Sequence, residues 1–363
     1  MRETESILKE IGAKRGLEIA LDENGACALE LDDGRCLLIQ ERADLDELDF
    51  MASLGKVPDE VRAAANKRRA EEAVIAAFIA KYDMNGANGP ELPEAGENGT
   101  TTVKLKMTSV SLLTPGTFRH VVKYGSDKDE RRMLMDQREA WEAVEQGGVE
   151  FDYKGRHIRI QPQIFKFNFG VNEGAVKWYL RKLDNFAGGW DLSKAMNRTA
   201  IAALENEVNA YLQTETNERK RSTVQTLFRQ CRQALDERAE RRDGHDVFKV
   251  AARIAVLTGL IGNVPCWNCK SGKDRTGQMD VECKFLSTLI ARGEPIPEPG
   301  ARLTEEQQSL LRAIALEGGN FEIQKMNTAI AGFKTGSISS ITERLGGSEY
   351  REFHRGGSDH VNV

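Results

Sequence analysis

Residue types and spacing that could carry out chemistry are concentrated in the stretch VPCWNCKSGKDRTGQMD. Within it, Cys269 is separated by five residues from Arg275, which is followed by Thr276 and Gly277, giving the form C-x5-R-[ST]-G. Five intervening residues let the backbone curl so that its N–H groups point inward and hold three phosphoryl oxygens. The spacing therefore predicts an anion-binding loop between a strand that ends near Asn268 and a helix that begins near Thr276.

The predicted loop would make Cys269 a nucleophile. A free cysteine has a pKa of about 8.5, which a helix N-terminus, inward amides and a guanidinium can lower to roughly 3.5 to 7.5. Arg275 would bind the transferring phosphoryl group, and a covalent phosphocysteine would follow. The Thr276 hydroxyl would donate to the sulfur and stabilise it as the leaving group when water attacks. This chemistry requires no metal and no cofactor.

Two other interpretations of the cysteines are open. Cys266 and Cys269 have the spacing of a redox C-x-x-C pair, and together with Cys283 they could be zinc ligands. Neither interpretation accounts for Arg275, and no second C-x-x-C or paired histidine completes a zinc site. Phosphoryl chemistry is the interpretation that explains the whole motif.

Residues of the loop itself indicate the substrate. Lys270 and Lys273 would raise the positive potential beside the nucleophile, although lysines in loops are often only solvated. Two extra cations suit a polyanion better than a phosphotyrosine dianion. Inositol phosphates are thus favoured over phosphoproteins. The expected substrate-binding residues of the loop are Lys270, Ser271, Gly272, Lys273 and Gly277.

The general acid is not evident from the motif. Asp274 is the nearest carboxylate in sequence, but its side chain could instead brace the loop by accepting hydrogen bonds. Asp280, Asp184 and Asp191 are the other candidates.

A sequence of 363 residues is expected to form two folding units. The stretch NGANGPELPEAGENGTTT is typical of a linker. We predict an acidic α+β domain over 1–82, a linker over 83–103, an α/β catalytic domain over 104–345 and a flexible tail over 346–363. The first domain would contain helices at 5–16 and 58–82, a hairpin at 26–31 and 35–40, and an extended piece at 48–54.

The catalytic domain is predicted to alternate helices and strands. Its expected helices cover 128–146, 199–213 and 218–242. A hairpin over 149–153 and 156–161 is predicted to precede a third strand over 164–169. The basic run Arg219 to Arg221, with Arg229 and Arg232, is either a solvated helix face or a contact with anionic lipid.

Composition limits the class of protein. The chain is 40% hydrophobic and 29% charged, with a mean hydropathy of −0.48, as expected of a water-soluble globular protein. Residues 1–50 hold 14 acidic and 6 basic side chains, although the net charge of the chain is only −5. No run approaches the roughly 18 apolar residues of a membrane span, and no Sec signal is visible. Six cysteines are too few for a disulfide framework, and nucleic acid is not an expected partner.

The segment NVPCWNCKSGKDRTG resembles the active-site signature of the type III secreted bacterial inositol phosphate phosphatases, the SopB/IpgD family, and the CKSxKDRT core of eukaryotic inositol polyphosphate 4-phosphatases. The segments NFGVNE (168–173), EIQKMNT (322–328) and SLLTP (111–115) also resemble parts of the bacterial family. The resemblance covers roughly residues 105–335. It implies a cysteine-phosphatase-like fold, with Cys269 as nucleophile, Arg275 on the phosphate, and Lys270 and Lys273 on inositol phosphates.

The same resemblance implies phosphoinositides and inositol polyphosphates as substrates, a peripheral host membrane surface as the place of action, and delivery by a type III system. The first 80 residues are similar to the opening half of a class I type III secretion chaperone. That second similarity implies a secretion chaperone or self-association through the N-terminal domain.

Overall fold

The computed structural model describes residues 18–21, 27–30, 36–39, 59–82, 90–96, 98–115, 127–171, 190–239, 246–270, 274–320, 323 and 339–347. The chain divides into two compact units, Met1–Arg62 and Ala63–Val363.

In the first unit, strands β1 (Glu18–Leu21), β2 (Cys27–Glu30) and β3 (Cys36–Ile39) form an antiparallel sheet in that order. The hairpin predicted over 26–31 and 35–40 is confirmed, with Leu29 paired opposite Leu37. Strand β1 was not predicted. The helix expected at 5–16 and the extended piece expected at 48–54 lie outside the described residues.

The second unit alternates helices and strands, as expected of an α/β domain. Its sheet has the order β5-β6-β4-β7, in which β6, β4 and β7 are parallel and β5 is an antiparallel edge strand. In chain order, the elements are α1 (Asp59–Tyr82), β4 (Thr100–Ser111), α2 (Asp127–Gly147), β5 (Val149–Tyr153), β6 (Arg156–Asn168), α3 (Trp190–Thr214), α4 (Glu218–Asp236), α5 (Lys249–Leu260), β7 (Val264–Asn268), α6 (Asp274–Arg292), α7 (Glu305–Glu317) and α8 (Ser339–Arg344).

Helix α1 was predicted as the last helix of a first domain ending at residue 82. In the structure, the second unit already begins at Ala63, within this helix. Its apolar residues Val74 and Phe78 are fully buried in the same core as Leu105 and Met107 of β4. Lys81 of this helix donates to the backbone carbonyl of Gly262, just before β7 (2.9 Å). Residues 63–82 therefore belong to the second unit, because burial of their apolar face depends on the sheet.

Strand β4 is central in the sheet, and its first residues lie inside the segment predicted as a linker. Buried Val103, Leu105 and Met107 alternate with more exposed residues, which is the period of a strand. Strand β6 is likewise longer than predicted, since it continues through Pro162 instead of breaking into two strands. Pro162 is tolerated because β5 ends its pairing at Ile160, so β6 has only one strand neighbour there.

The two faces of the sheet carry separate cores. One face packs against α1 and α2, with Trp141 and Val144 among the buried residues. The other face packs against helices α3 to α7, with Phe167 and Phe285 buried. Because side chains alternate along each strand, neighbouring residues at the strand ends point into different environments.

Helix α3 begins before its predicted start and α4 ends before its predicted end at 242. The basic run on α4 is engaged within the fold. Arg219 and Arg221 donate to backbone carbonyls at the C-terminal ends of α6 and α3, where carbonyls lack helical partners. Arg229 and Arg232 form ion pairs of 2.7 and 2.8 Å with carboxylates of other segments. These contacts favour a structural role for the run over a lipid contact.

No helix in the described part of the chain is both long enough and apolar enough to cross a membrane.

Candidate active site

The C-x5-R motif lies at the C-terminal edge of the parallel strands. Strand β7 ends at Asn268 and helix α6 begins at Asp274, so the motif connects a strand to a helix N-terminus, as its spacing predicts. The backbone of Leu112, just after β4, donates to the carbonyl of Asn268 (2.8 Å). The end of β4 is thereby fixed beside the start of the loop. Residues 271–273, which include Ser271, Gly272 and Lys273, lie outside the described part.

Cys269 is buried and held by Thr276. The Thr276 hydroxyl oxygen accepts the backbone N–H of Cys269 (3.1 Å), and the same hydroxyl donates to the Cys269 Sγ (3.2 Å). The backbone carbonyl of Thr276 in turn accepts the indole N–H of Trp267 (3.1 Å). This arrangement directs the hydroxyl proton at the sulfur, so the sulfur is the acceptor of the bond.

Arg275 points into the fold beside Cys269. Its Nη1 donates to the backbone carbonyl of Leu112 (2.7 Å) and to the carboxylate of Glu130 (3.1 Å), and its Nη2 donates to the other Glu130 oxygen (2.7 Å). Burial opposes the charged form, but the hydrogen bonds and charge of Glu130, together with weaker interactions with Cys269 and Asp274, outweigh it and raise the pKa of Arg275. Arg275 therefore carries a permanent positive charge close to the thiol.

Glu130 is a site residue that the sequence did not reveal. It lies in the first turn of α2, its side chain is 9% exposed, and it also accepts the backbone N–H of Thr114 (2.6 Å). In the sequence, Glu130 is one acidic residue in a charged helical stretch. No motif links it to Arg275, because the contact is made only when α2 packs beside β4.

The first asparagine of the NFG motif braces the same edge of the sheet. The Asn168 side chain donates to the backbone carbonyls of Ser111 (3.1 Å) and Leu113 (2.9 Å), on either side of Leu112. Its own backbone is held by Asn197 of α3, which accepts its N–H (2.8 Å) and donates to its carbonyl (2.9 Å). Asn168 is therefore a structural residue that holds the segment whose Leu112 carbonyl accepts a hydrogen bond from Arg275.

The other cysteines differ from Cys269. Cys266 packs with the core of the opposite sheet face, and burial raises its pKa to about 11, although a hydrogen bond with Ser109 opposes this. Burial likewise raises the pKa of Cys283. Cys266 and Cys269 thus pack in the cores on opposite faces of the sheet, which disfavours a redox pair. Among the described residues, no group of three His, Cys, Asp or Glu is arranged to hold a metal.

The other predicted residues of the loop that the structure describes are Lys270, Asp274 and Gly277. Lys270 is exposed directly after Cys269, and Gly277 lies half-buried in the first turn of α6. Asp274 is the first residue of α6 and interacts electrostatically with Arg275.

Three other carboxylates are predicted candidates for the general acid. Asp280 forms an ion pair with Lys284 (2.6 Å) one turn along α6, and Asp191 is exposed near the start of α3. Asp184 lies outside the described residues. Asp274 is the candidate nearest the thiol in the chain.

The fold has a counterpart among solved structures. A phosphoinositide phosphatase from Legionella superposes with a TM-score of 0.51 at 12% sequence identity, over 85% of this chain and 63% of that chain. The match shows a shared fold. The predicted α/β fold is therefore confirmed.

A family model described as "Enterobacterial virulence protein IpgD" matches residues 51–345. The inositol phosphate phosphatase IpgD of Shigella flexneri is 31% identical over 326 residues, which is 83% of this chain and 56% of the relative. The inositol phosphate phosphatase SopB of Salmonella typhimurium is 32% identical over 289 residues, which is 76% of this chain and 47% of the relative. The chain belongs to the IpgD family.

The chain spans about half the length of these curated relatives. A second model, the Tir chaperone protein (CesT) family, matches residues 6–81, as the similarity of the first 80 residues predicts. The two matches overlap over residues 51–81, the region that includes most of α1.

Proposed function

We propose that this protein is a phosphatase of inositol phosphates and phosphoinositides that works through a phosphocysteine. The observation that carries the proposal is the contact of the Thr276 hydroxyl with the Cys269 Sγ (3.2 Å) at the N-terminus of α6, with Arg275 beside it. The names of the relatives support the substrate class. The reaction needs only groups of this chain and water, and uses no metal or cofactor.

In the first step, Cys269 attacks phosphorus and the alcohol oxygen of the inositol ring leaves with a proton. Arg275 and the N-terminal amides of α6 stabilise the charge on the equatorial oxygens, which is the main source of catalysis for a loose transition state. Asp274 is the carboxyl group nearest Cys269 in the chain, and in its protonated form it would supply the proton to the leaving oxygen; its place at the start of α6 also suits a bracing role.

In the second step, water attacks the phosphocysteine and the sulfur leaves as a thiolate. The Thr276 hydroxyl donates to that sulfur as it gains charge, and its orientation is fixed by the N–H of Cys269. Inorganic phosphate then leaves, and the thiolate is regenerated.

A direct test is phosphate release by the purified protein from phosphatidylinositol 4,5-bisphosphate vesicles and from soluble inositol polyphosphates, with and without EDTA. We expect equal turnover in both conditions, because no step uses a metal. Binding of the vesicles with no phosphate released would favour an adaptor that holds phosphoinositide. Loss of activity in EDTA would contradict the mechanism.

Substrate class is tested at the loop lysines. In the double variant Lys270→Ala/Lys273→Ala we expect kcat/KM for inositol polyphosphates to fall by about tenfold or more, because two close charge contacts are lost. Hydrolysis of a phosphotyrosine peptide should change little. Lys284→Ala is a matched control, since Lys284 pairs with Asp280 on the same helix as Arg275. An equal loss for both substrates would favour a general effect on the loop over polyanion recognition.

We also propose that the protein is a virulence effector delivered by a type III system and active at the host membrane surface. The IpgD and CesT matches support this assignment. The CesT-like segment would either bind a secretion chaperone or self-associate. Size-exclusion chromatography with light scattering on the full chain distinguishes the two, because self-association needs no partner.

A further inference from the structure

Glu130 contacts the arginine of the motif through both carboxylate oxygens. Its Oε1 accepts from Nη2 of Arg275 (2.7 Å), and its Oε2 accepts from Nη1 (3.1 Å). We propose that Glu130 is a positioning residue that fixes the guanidinium plane of Arg275 for phosphate binding. The inference rests on the proposed function and assigns to it a residue 145 positions away in the chain.

The contact with Glu130 leaves two N–H groups of Arg275 for a phosphoryl group. Arginine has five N–H donors in one plane. Nη1 uses its two on the Leu112 carbonyl and on Glu130, and Nη2 uses one on Glu130. The Nε–H and the second Nη2–H lie together on the adjacent edge of the plane. A phosphoryl group accepts two parallel bonds at such an edge.

Arg275 and Glu130 are both buried, so the charge of Arg275 needs the carboxylate of Glu130 as a partner. The side chains of Glu130 and Arg275 are only 9% and 14% exposed. A buried cation that loses the carboxylate to which it is hydrogen-bonded is strongly destabilised, so the arginine would take other acceptors or water. Glu130 accepts three N–H groups, from Thr114 and from both Nη atoms of Arg275. Its proposed role is therefore to accept these bonds and not to transfer a proton.

The backbone next to Glu130 is itself held in place. Glu130 accepts the N–H of Thr114, and Arg275 donates to the carbonyl of Leu112, so both partners are tied to one short segment after β4. Asn168 fixes that segment by donating to the carbonyls of Ser111 and Leu113. The ion pair is thus attached to a backbone segment that is itself held by side-chain hydrogen bonds, which is what a positioning role requires.

The test is Glu130→Gln, which keeps the shape of the side chain and removes its charge. We expect kcat/KM for phosphatidylinositol 4,5-bisphosphate to fall by roughly a hundredfold, because small misplacement of a catalytic group has effects of that order. We also expect inorganic phosphate to protect Cys269 less well from alkylation by iodoacetamide. The control Glu142→Gln removes a carboxylate from the exposed face of the same helix and should match the wild type.

A double-mutant cycle with Arg275→Lys separates positioning from a general structural effect. If Glu130 acts through Arg275, Glu130→Gln should cost much less activity in the Arg275→Lys background than in the wild type. Additive losses, or a Glu130→Gln variant with wild-type kinetics and phosphate protection, would overturn the inference.

Two further measurements keep the result decisive. If Glu130→Gln does not fold, Glu130→Asp keeps the charge one methylene further back, and its phosphate protection should be weaker than that of the wild type. Undiminished protection in that variant would also overturn the inference. If the wild type releases no phosphate from any substrate, the proposed function fails, while the phosphate-protection assay still decides the role of Glu130.

Discussion

Replacing Cys269 with serine is expected to abolish phosphate release, with a loss of roughly four orders of magnitude or more. A serine hydroxyl stays protonated at neutral pH and is a far weaker nucleophile than the thiolate. The Thr276 contact and the charge of Arg275 would both stabilise an ionised sulfur. Phosphate release from inositol polyphosphates measures the loss of activity. Rapid acid quenching of the wild type during turnover of a phosphate-labelled substrate should trap the labelled phosphate on Cys269.

Cys266→Ser is the matched control for this substitution. It changes the same atom three residues earlier, on the opposite face of the sheet, where the thiol lies beside Ser109 and has a raised pKa. We expect this variant to keep most of its activity. Equal inactivation of the two variants would instead support a redox pair, and full activity in Cys269→Ser would refute the phosphocysteine mechanism.

The largest expected effect on stability is at Arg344. This residue of α8 donates two bonds to Glu282 of α6 (3.0 and 2.6 Å), and both side chains are at most 6% exposed. Arg344→Ala leaves a buried carboxylate without its partner, so we expect the free energy of unfolding to fall by about 3–5 kcal/mol. Equilibrium denaturation in urea measures the loss.

The loss at Arg344 should also depend on pH. Burial raises the pKa of Glu282, and Arg344 opposes that rise. In Arg344→Ala the folded-state pKa is therefore higher still, while the unfolded value is unchanged. The folded state then holds its proton over a range where the unfolded state has lost it, so stability falls as pH rises from about 4.3 through the raised pKa. A larger destabilisation at pH 5 than at pH 8 would contradict this account.

A double replacement provides the control. Glu282→Leu/Arg344→Met removes both charges and leaves Asp246 paired with Arg253, so most of the lost stability should return. Glu142→Ala, which breaks an exposed ion pair on α2, should change the free energy of unfolding by less than about 1 kcal/mol. Similar losses in all three variants would indicate that burial does not determine the effect.

Local patterns in the sequence predicted the features that depend on near neighbours. The C-x5-R spacing located the junction of β7 and α6, and an alanine-rich stretch without helix breakers located α1. The hairpin of β5 and β6 followed from alternation and its Lys154-Gly155 turn. Each of these features is determined by residues a few positions apart.

Features that depend on distant partners were not predicted. Strand β4 shows a period of two at Val103, Leu105 and Met107, but its opening threonines follow directly on glycine and asparagine and were assigned to the linker. Glu130 could not be recognised, because its role depends on α2 packing beside β4. Helix α1 was assigned to the first domain for a related reason, since only its burial shows which sheet it covers.

The burial of α1 against the sheet limits how far the protein can be shortened to a catalytic fragment. A fragment starting after residue 82 would remove Val74 and Phe78 from Leu105 and Met107, and would uncover part of the sheet face opposite to Cys269. Such a fragment would be expected to precipitate, and its lack of activity would be mistaken for a property of the active site. Shortened forms should therefore retain α1 from Asp59 onward.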